Sequence, residues 1–158
     1  RLGLDAGQIA LLERLASTPN GIILATGPTG AGKTTTLYSL LKLADREERN
    51  IVTVEDPIEY DLTGISQAQI NAEIGMSFAA GLRATLRQDP DVILVGEIRD
   101  TETASTAAQA ALTGHLVFSS LHANSSVAAV VRLRDLGLEN FLIAATLRGV
   151  IAQALSRA

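Results

Sequence analysis

The chain has 158 residues, enough for one domain of ordinary size with its own core. Thirteen Lys and Arg against 17 Asp and Glu leave a net charge of −4, and 47% of the residues are hydrophobic. That balance excludes a disordered chain and disfavours a strongly basic nucleic-acid binder. Cysteine is absent and aromatics are only 3%, which excludes disulfides and thiolate metal sites, leaves the core to Leu, Ile, Val and Ala, and makes base-stacking platforms scarce.

In chain order, Asp5 is placed to cap a first helix whose Ile9, Leu12, Leu15 and Ala16 share one face. Residues 17–20 form a turn, with Pro19 as the stop. GIILAT, residues 21–26, is a short apolar run that reads as a buried strand. A Gly-rich loop then leads into a helix over residues 33–45. The densest charge cluster, DREER at residues 45–49, reads as a solvated helix end. IVTVE, residues 51–55, is the second strand. Residues 56–76 read as irregular or weakly stranded, punctuated by Pro57, Gly64 and Gly75. Ser77 caps a helix to residue 88, and residues 91–95 make the third strand. An Ala-rich helix covers 101–113 and a fourth strand 115–121. Two further helices are expected at 126–136 and from 139 to the end. Strands alternating with helices predict an α/β domain with a mostly parallel sheet flanked by helices. No run approaches the roughly 18 apolar residues of a membrane span, and no signal peptide opens the chain. The chain starts without Met and stops inside its last expected helix, so it reads as a single domain cut from a longer protein.

Gly27-Pro28-Thr29-Gly30-Ala31-Gly32-Lys33-Thr34 fits G-x-x-x-x-G-K-[ST]. Glycines let the backbone wrap a phosphate with its N–H groups pointing inward, and the helix that follows presents its positive dipole end to the same anion. Lys33 is the residue type that neutralises β/γ-phosphate charge, and the Thr34 hydroxyl is placed for Mg²⁺. Thr35 completes the expected nucleotide-binding set. The loop lies between a strand and a helix, as this chemistry needs.

Two acidic positions end strands. The third strand runs into Gly96-Glu97, where most phosphate-loop ATPases carry Asp-Glu. Glu97 is therefore either a carboxylate that polarises an attacking water or holds Mg²⁺ through one, or a solvated strand-end acid. The second strand ends in Glu55-Asp56-Pro57-Ile58-Glu59. Three carboxylates within five residues repel unless a cation or a proton is shared, so either Mg²⁺ is held there or the acids face water. Both strands end on the carboxyl edge of the sheet, where ligands bind in open α/β folds. His115 and His122 flank the fourth strand seven residues apart. An odd separation puts their side chains on opposite faces of a regular strand, which argues against a shared metal. His122, at the carboxyl end, is the better placed to sense a γ-phosphate. His115, after Gly114, reads as a helix-end or interface residue.

Taken together, four segments resemble the secretion ATPases of type II secretion and type IV pilus assembly. They are the Walker A box GPTGAGKTTT (27–36), the aspartate box IVTVEDPIEY (51–60), the Walker B box LRQDPDVILVGEIRD (86–100) and the histidine box TGHLVFSSLHAN (113–124). GISQAQIN and GMSFAAGLRATLRQ match the same pattern between them. The resemblance implies a RecA-like P-loop core that hydrolyses ATP with Mg²⁺. It implies a homohexameric motor on the cytoplasmic side of the inner membrane, working on membrane platform proteins and touching the membrane only through them, with no nucleic acid as partner. By position it implies Lys33 and Thr34 on phosphate and Mg²⁺, Glu97 as the Walker B glutamate, Glu55 and Glu59 aiding Mg²⁺ and water, and His115 and His122 as the histidine-box pair. Gln109 to His115, QAALTGH, looks like the assembly branch, since the retraction branch carries an acid before Thr-Gly-His. The chain departs from the family at Ser120 and Ala123, where Thr is favoured, and at Ala154, where Arg is usual. Other expectations for a chain with these motifs are a conjugation ATPase, a DNA translocase, or a nucleotide-gated module with little turnover.

Overall fold

A computed structural model describes residues 6–27, 32–45, 49–70 and 77–152. The expected cap at Asp5, loop residues 28–31, Gly75 and the departure at Ala154 lie outside them. The strands are β1 (Gly21–Thr26), β2 (Ile51–Glu55), β3 (Ser66–Gln69), β4 (Val92–Val95), β5 (Leu116–Leu121) and β6 (Leu147–Ala152). The helices are α1 (Ala6–Ala16), α2 (Lys33–Asp45), α3 (Phe78–Leu86), α4 (Thr101–Leu112), α5 (Ser126–Asp135) and α6 (Asn140–Thr146). The strands form one sheet in the order β3-β2-β4-β5-β1-β6, with every pairing parallel.

β1, β2, β4 and β5 are buried along their whole length. This is what a parallel sheet covered on both faces requires, and it is why these strands read as unbroken apolar runs. The two-residue period sorts their side chains. Ile22, Leu24, Ile93, Val95, Val117 and Leu121 join the cluster that holds α3 to α6. Ile23, Ala25, Val92, Leu94, Leu116 and Phe118 join the one that holds α1 and α2. α4 presents Ala104, Ala107, Ala108, Ala110 and Ala111 inward, so small side chains let it lie close on the sheet. Asp100 caps α4, accepting the Thr103 N–H at 2.7 Å, and Ser77 caps α3 as its sequence predicts.

Three features differ from the sequence expectation or sharpen it. The apolar stretch from 139 onward is not one helix. It stops at Thr146, and Leu147 turns extended at once (φ −76°, ψ 118°). No Pro or Gly lies in residues 138–148, and Gly149 comes only after the strand has begun. The cause is the open edge of β1, whose N–H and C=O groups need a partner. β6 supplies it, from Ile22 opposite Leu147 to Thr26 opposite Ala152. Second, the weakly stranded region contains a real edge strand, β3, half exposed and polar in sequence (SQAQ), paired with β2. Third, the charge cluster is not wholly solvated. The Arg49 guanidinium donates to the carbonyls of Ala16 (2.8 Å), Ser17 (3.1 Å) and Thr18 (3.1 Å), closing the carboxyl end of α1.

Gly21 makes the α6–β6 junction possible. Its φ is +127°, and a Cβ there would stand 2.4 Å from Arg148 Cγ and 2.8 Å from the Thr146 carbonyl oxygen. Gly64 also has positive φ (+82°) but open space around it. Gly64→Ala should therefore cost only the backbone term, roughly 1 kcal/mol. Gly21→Ala adds overpacking against backbone and should cost roughly 3 kcal/mol or more. Urea titrations that gave the two variants equal midpoints would refute this account of Gly21.

Candidate functional site

The order β2-β4-β5-β1 brings four carboxyl strand ends to one edge, where residues at the ends of β2, β4 and β5 border a cavity of about 530 Å³. Gly32, Lys33, Thr34 and Thr35, at the start of α2, line one side. Gly27 is buried at the end of β1. The positive end of the α2 dipole therefore faces the cavity. β5 lies between β1 and β4, so His122, one residue past β5, is exposed on the cavity between the phosphate-loop strand and the strand of Glu97. Two serines of β5 pin the chain beside Glu97. Ser119 Oγ donates to the Val95 carbonyl and Ser120 Oγ to the Gly96 carbonyl, each at 2.6 Å.

Glu97 is half-buried and lines the cavity. Beside it, Gly96 leaves only tight space for the acid that most phosphate-loop ATPases place there. A Cβ at Gly96 would meet Phe78 Cε1 at 3.2 Å and the Val54 carbonyl oxygen at 3.4 Å. The Phe78 ring, on which the Arg99 guanidinium stacks at 5.0 Å, occupies that place.

The three acids of the second strand end all border the cavity but have different partners. Glu55 is only 4% exposed and turns into the domain. Its Oε2 accepts from Thr53 Oγ1 at 2.6 Å and from Gln67 Nε2 at 3.0 Å, and its Oε1 accepts from the Tyr38 hydroxyl. Glu55 borders the cavity, yet both its oxygens are engaged by protein donors. Asp56 lies 3.9 Å from Arg99 in an exposed ion pair, and the Asp56–Pro57 peptide is cis. Glu59 is exposed and lines the cavity. Burial with protein donors thus serves one acid, an arginine the second and solvent the third.

His115 is not part of this constellation. It sits before β5, with Nδ1 2.9 Å from the Ala110 carbonyl oxygen and 3.4 Å from Thr113 Oγ1 at the end of α4. The intervening strand separates it from His122 by roughly 20 Å at the usual rise per residue. The helix-end reading of His115 matches this position.

Tyr38, Thr53, Gln67, Phe78 and Ser120 are the residues that sequence reasoning missed. Tyr38 carried no motif signal, since on α2 it is one more buried position. Burial and the bond to Glu55 raise its hydroxyl from 10.0 to about 12. It stays a protonated donor throughout the neutral range. The protonated form is favoured in the folded state, so Tyr38 contributes stability that is whole below pH 10 and is lost as pH rises towards 12. Tyr38→Phe should thus be less stable than wild type at pH 8, with the gap narrowing between pH 10 and 12. A gap independent of pH in denaturant titrations would refute this. Gly96→Asp should lower stability by about 1–3 kcal/mol by displacing Phe78, and a thermal melt unchanged from wild type would refute it.

The family model described as "Type II/IV secretion system protein" matches residues 1–158. The type II secretion system protein HxcR of Pseudomonas aeruginosa is 60% identical over 156 residues, covering 99% of this chain and 33% of that protein. The type II secretion system ATPase E of Vibrio cholerae is also 60% identical over 156 residues, covering 99% of this chain and 31% of that protein. The chain thus spans about a third of the length of the curated relatives it matches. Among solved structures, the pilus retraction motor PilT with bound ADP superimposes with a TM-score of 0.84 at 42% identity, over 95% of this chain and 46% of that one. The fold they share is the RecA-like α/β core, and along its whole length the chain belongs to the Type II/IV secretion system protein family.

Proposed function

We propose that this chain is the ATP-hydrolysing core domain of a motor that drives pilus or pseudopilus assembly. The carrying observation is that Lys33, Thr34, Glu59, Glu97 and His122, contributed by separate elements, line one cavity at the carboxyl edge of the sheet. Lys33 and the free N–H groups at the start of α2 take the phosphates. The hydroxyl of Thr34 and the carboxylates of Glu59 and Glu97 are hard oxygen donors that fit Mg²⁺. Among the described residues no group of three or more His, Cys, Asp or Glu is placed to cage a metal. Phosphate oxygens and water must then complete the shell, as is usual for this ion. Bound Mg²⁺ would neutralise charge on the phosphoryl oxygens. Glu97 orients the water that attacks the γ-phosphate in line. His122 meets the γ-phosphate side and passes its presence to β5, which is tied to β4 through Ser119 and Ser120. Glu55 acts from behind, through the side chains it binds.

The relatives' names, a secretion-system ATPase and a pilus motor, support a place in such a machine. The homohexamer at the cytoplasmic face of the inner membrane, reaching the membrane through platform proteins, is part of this proposal and rests on the four motifs. No described helix is long and apolar enough to cross a membrane. The test is nucleotide turnover by the intact protein as a function of its concentration. Glu97→Gln should lower kcat by about 100-fold or more with nucleotide affinity nearly unchanged, and Lys33→Ala should weaken nucleotide binding itself. A rate insensitive to Glu97→Gln would refute the hydrolytic reading and leave a nucleotide-gated module.

A further inference from the structure

Residues 56–62 carry Glu59 to the cavity, and side chains hold their backbone where a ladder is lacking. The Ile58 N–H donates to Gln69 Oε1 at 3.1 Å, and the Glu59 N–H to the Tyr38 hydroxyl oxygen at 3.3 Å. The Leu62 N–H donates to Gln67 Oε1 at 2.8 Å, while Gln67 Nε2 reaches the Tyr60 carbonyl at 2.9 Å and Glu55 at 3.0 Å. Gln67 and Gln69 stand two apart on β3 and so share a face. Tyr38 comes from α2, five residues after Lys33, and its ring meets that of Tyr60 edge-on with centroids 5.4 Å apart. Apolar packing holds this segment at two points, Leu62 on the core and the Tyr60 ring on Tyr38, while Asp56, Pro57, Glu59 and Asp61 are exposed. The polar ties decide where the rest of the loop lies.

We propose that Tyr38, Gln67 and Gln69 are positioning residues that set the 56–62 loop, and through it the Glu59 carboxylate, against the helix that begins at Lys33. The buried Glu55 carboxylate is the joint, since Tyr38 and Gln67 both donate to it. The inference rests on the hydrolytic reading and deepens it. A shift of α2 with bound phosphate is transmitted to the acidic loop by the Tyr38 hydroxyl, which bonds Glu55 and the Glu59 amide together. The polar edge strand β3 thereby serves the site as well as the sheet.

The experiment uses the intact protein, with turnover of MgATP and binding of a fluorescent ATP analogue measured in parallel. Tyr38→Phe keeps the ring and deletes the hydroxyl. Gln69→Ala removes one loop tie at an exposed edge position, so the test stands even if Tyr38→Phe folds poorly. Each should lower kcat fivefold or more while analogue affinity stays within twofold. In a Glu59→Gln background, Gln69→Ala should change the residual single-turnover rate by less than twofold, because the residue it positions is already disabled. The proposal is overturned if the folded variants keep wild-type kcat. It is equally overturned if they lose analogue binding by the same factor as turnover, or if the Gln69→Ala effect persists undiminished without Glu59. Wild-type protein lacking Glu97-dependent turnover would sink the hydrolytic reading and this inference with it. Normal turnover with unaffected variants would sink this inference alone.

Discussion

Parallel strands buried on both faces can expose functional groups only at their ends. β1, β2, β4 and β5 have no solvent-facing side along their length, and all run the same way. Every residue immediately beyond them thus emerges on one edge, and charged side chains can reach water there without crossing the core. That single constraint assembles the cavity. It brings together Lys33, Glu59, Glu97 and His122, which are spread over some ninety positions of the chain. It also excludes His115, which lies at the opposite end of β5 however close it stands to His122 in sequence.

The same edge has to manage a concentration of negative charge, and it does so by local chemistry. Glu55 is drawn inward because Tyr38, Thr53 and Gln67 replace the water it loses. Asp56 finds Arg99, and Arg99 in turn lies over Phe78. Phe78 fills the space that an acid beside Glu97 would need. The unusual Gly-Glu pair thus leaves the aromatic ring from α3 packed close against Gly96. Glu59 and Glu97, from different strand ends, line the cavity with no described hydrogen-bond or ion-pair partner on their carboxylates, beside Asp56 with its arginine.

Much of this was legible in the residues. Four of the six described strands announced themselves as apolar runs, because total burial demands them, and the cap at Ser77 follows from local hydrogen bonding alone. The edge strands were not legible for the complementary reason. β3 has no apolar face to bury, so SQAQ carries no periodic signal. β6 has apolar residues, but their spacing suits a helix as well as a strand, and only the open edge of β1 decides between them. Arg49 likewise looked like one charge among several until the end of α1 was brought to it.

The sequence by itself determined the α/β class, the phosphate-binding motif and the acids that end β2 and β4, because each depends on residue type and short-range spacing. Tertiary structure alone decided which strand lies beside which. It decided that β5 separates the phosphate-loop strand from that of Glu97, that Glu55 faces inward, and that Tyr38 and Gln67 are its partners. Those pairings join residues 12 to 17 positions apart, or more, through the closing of a sheet. No local propensity encodes such a meeting; it exists only once the parallel strands have paired and their helices have covered them.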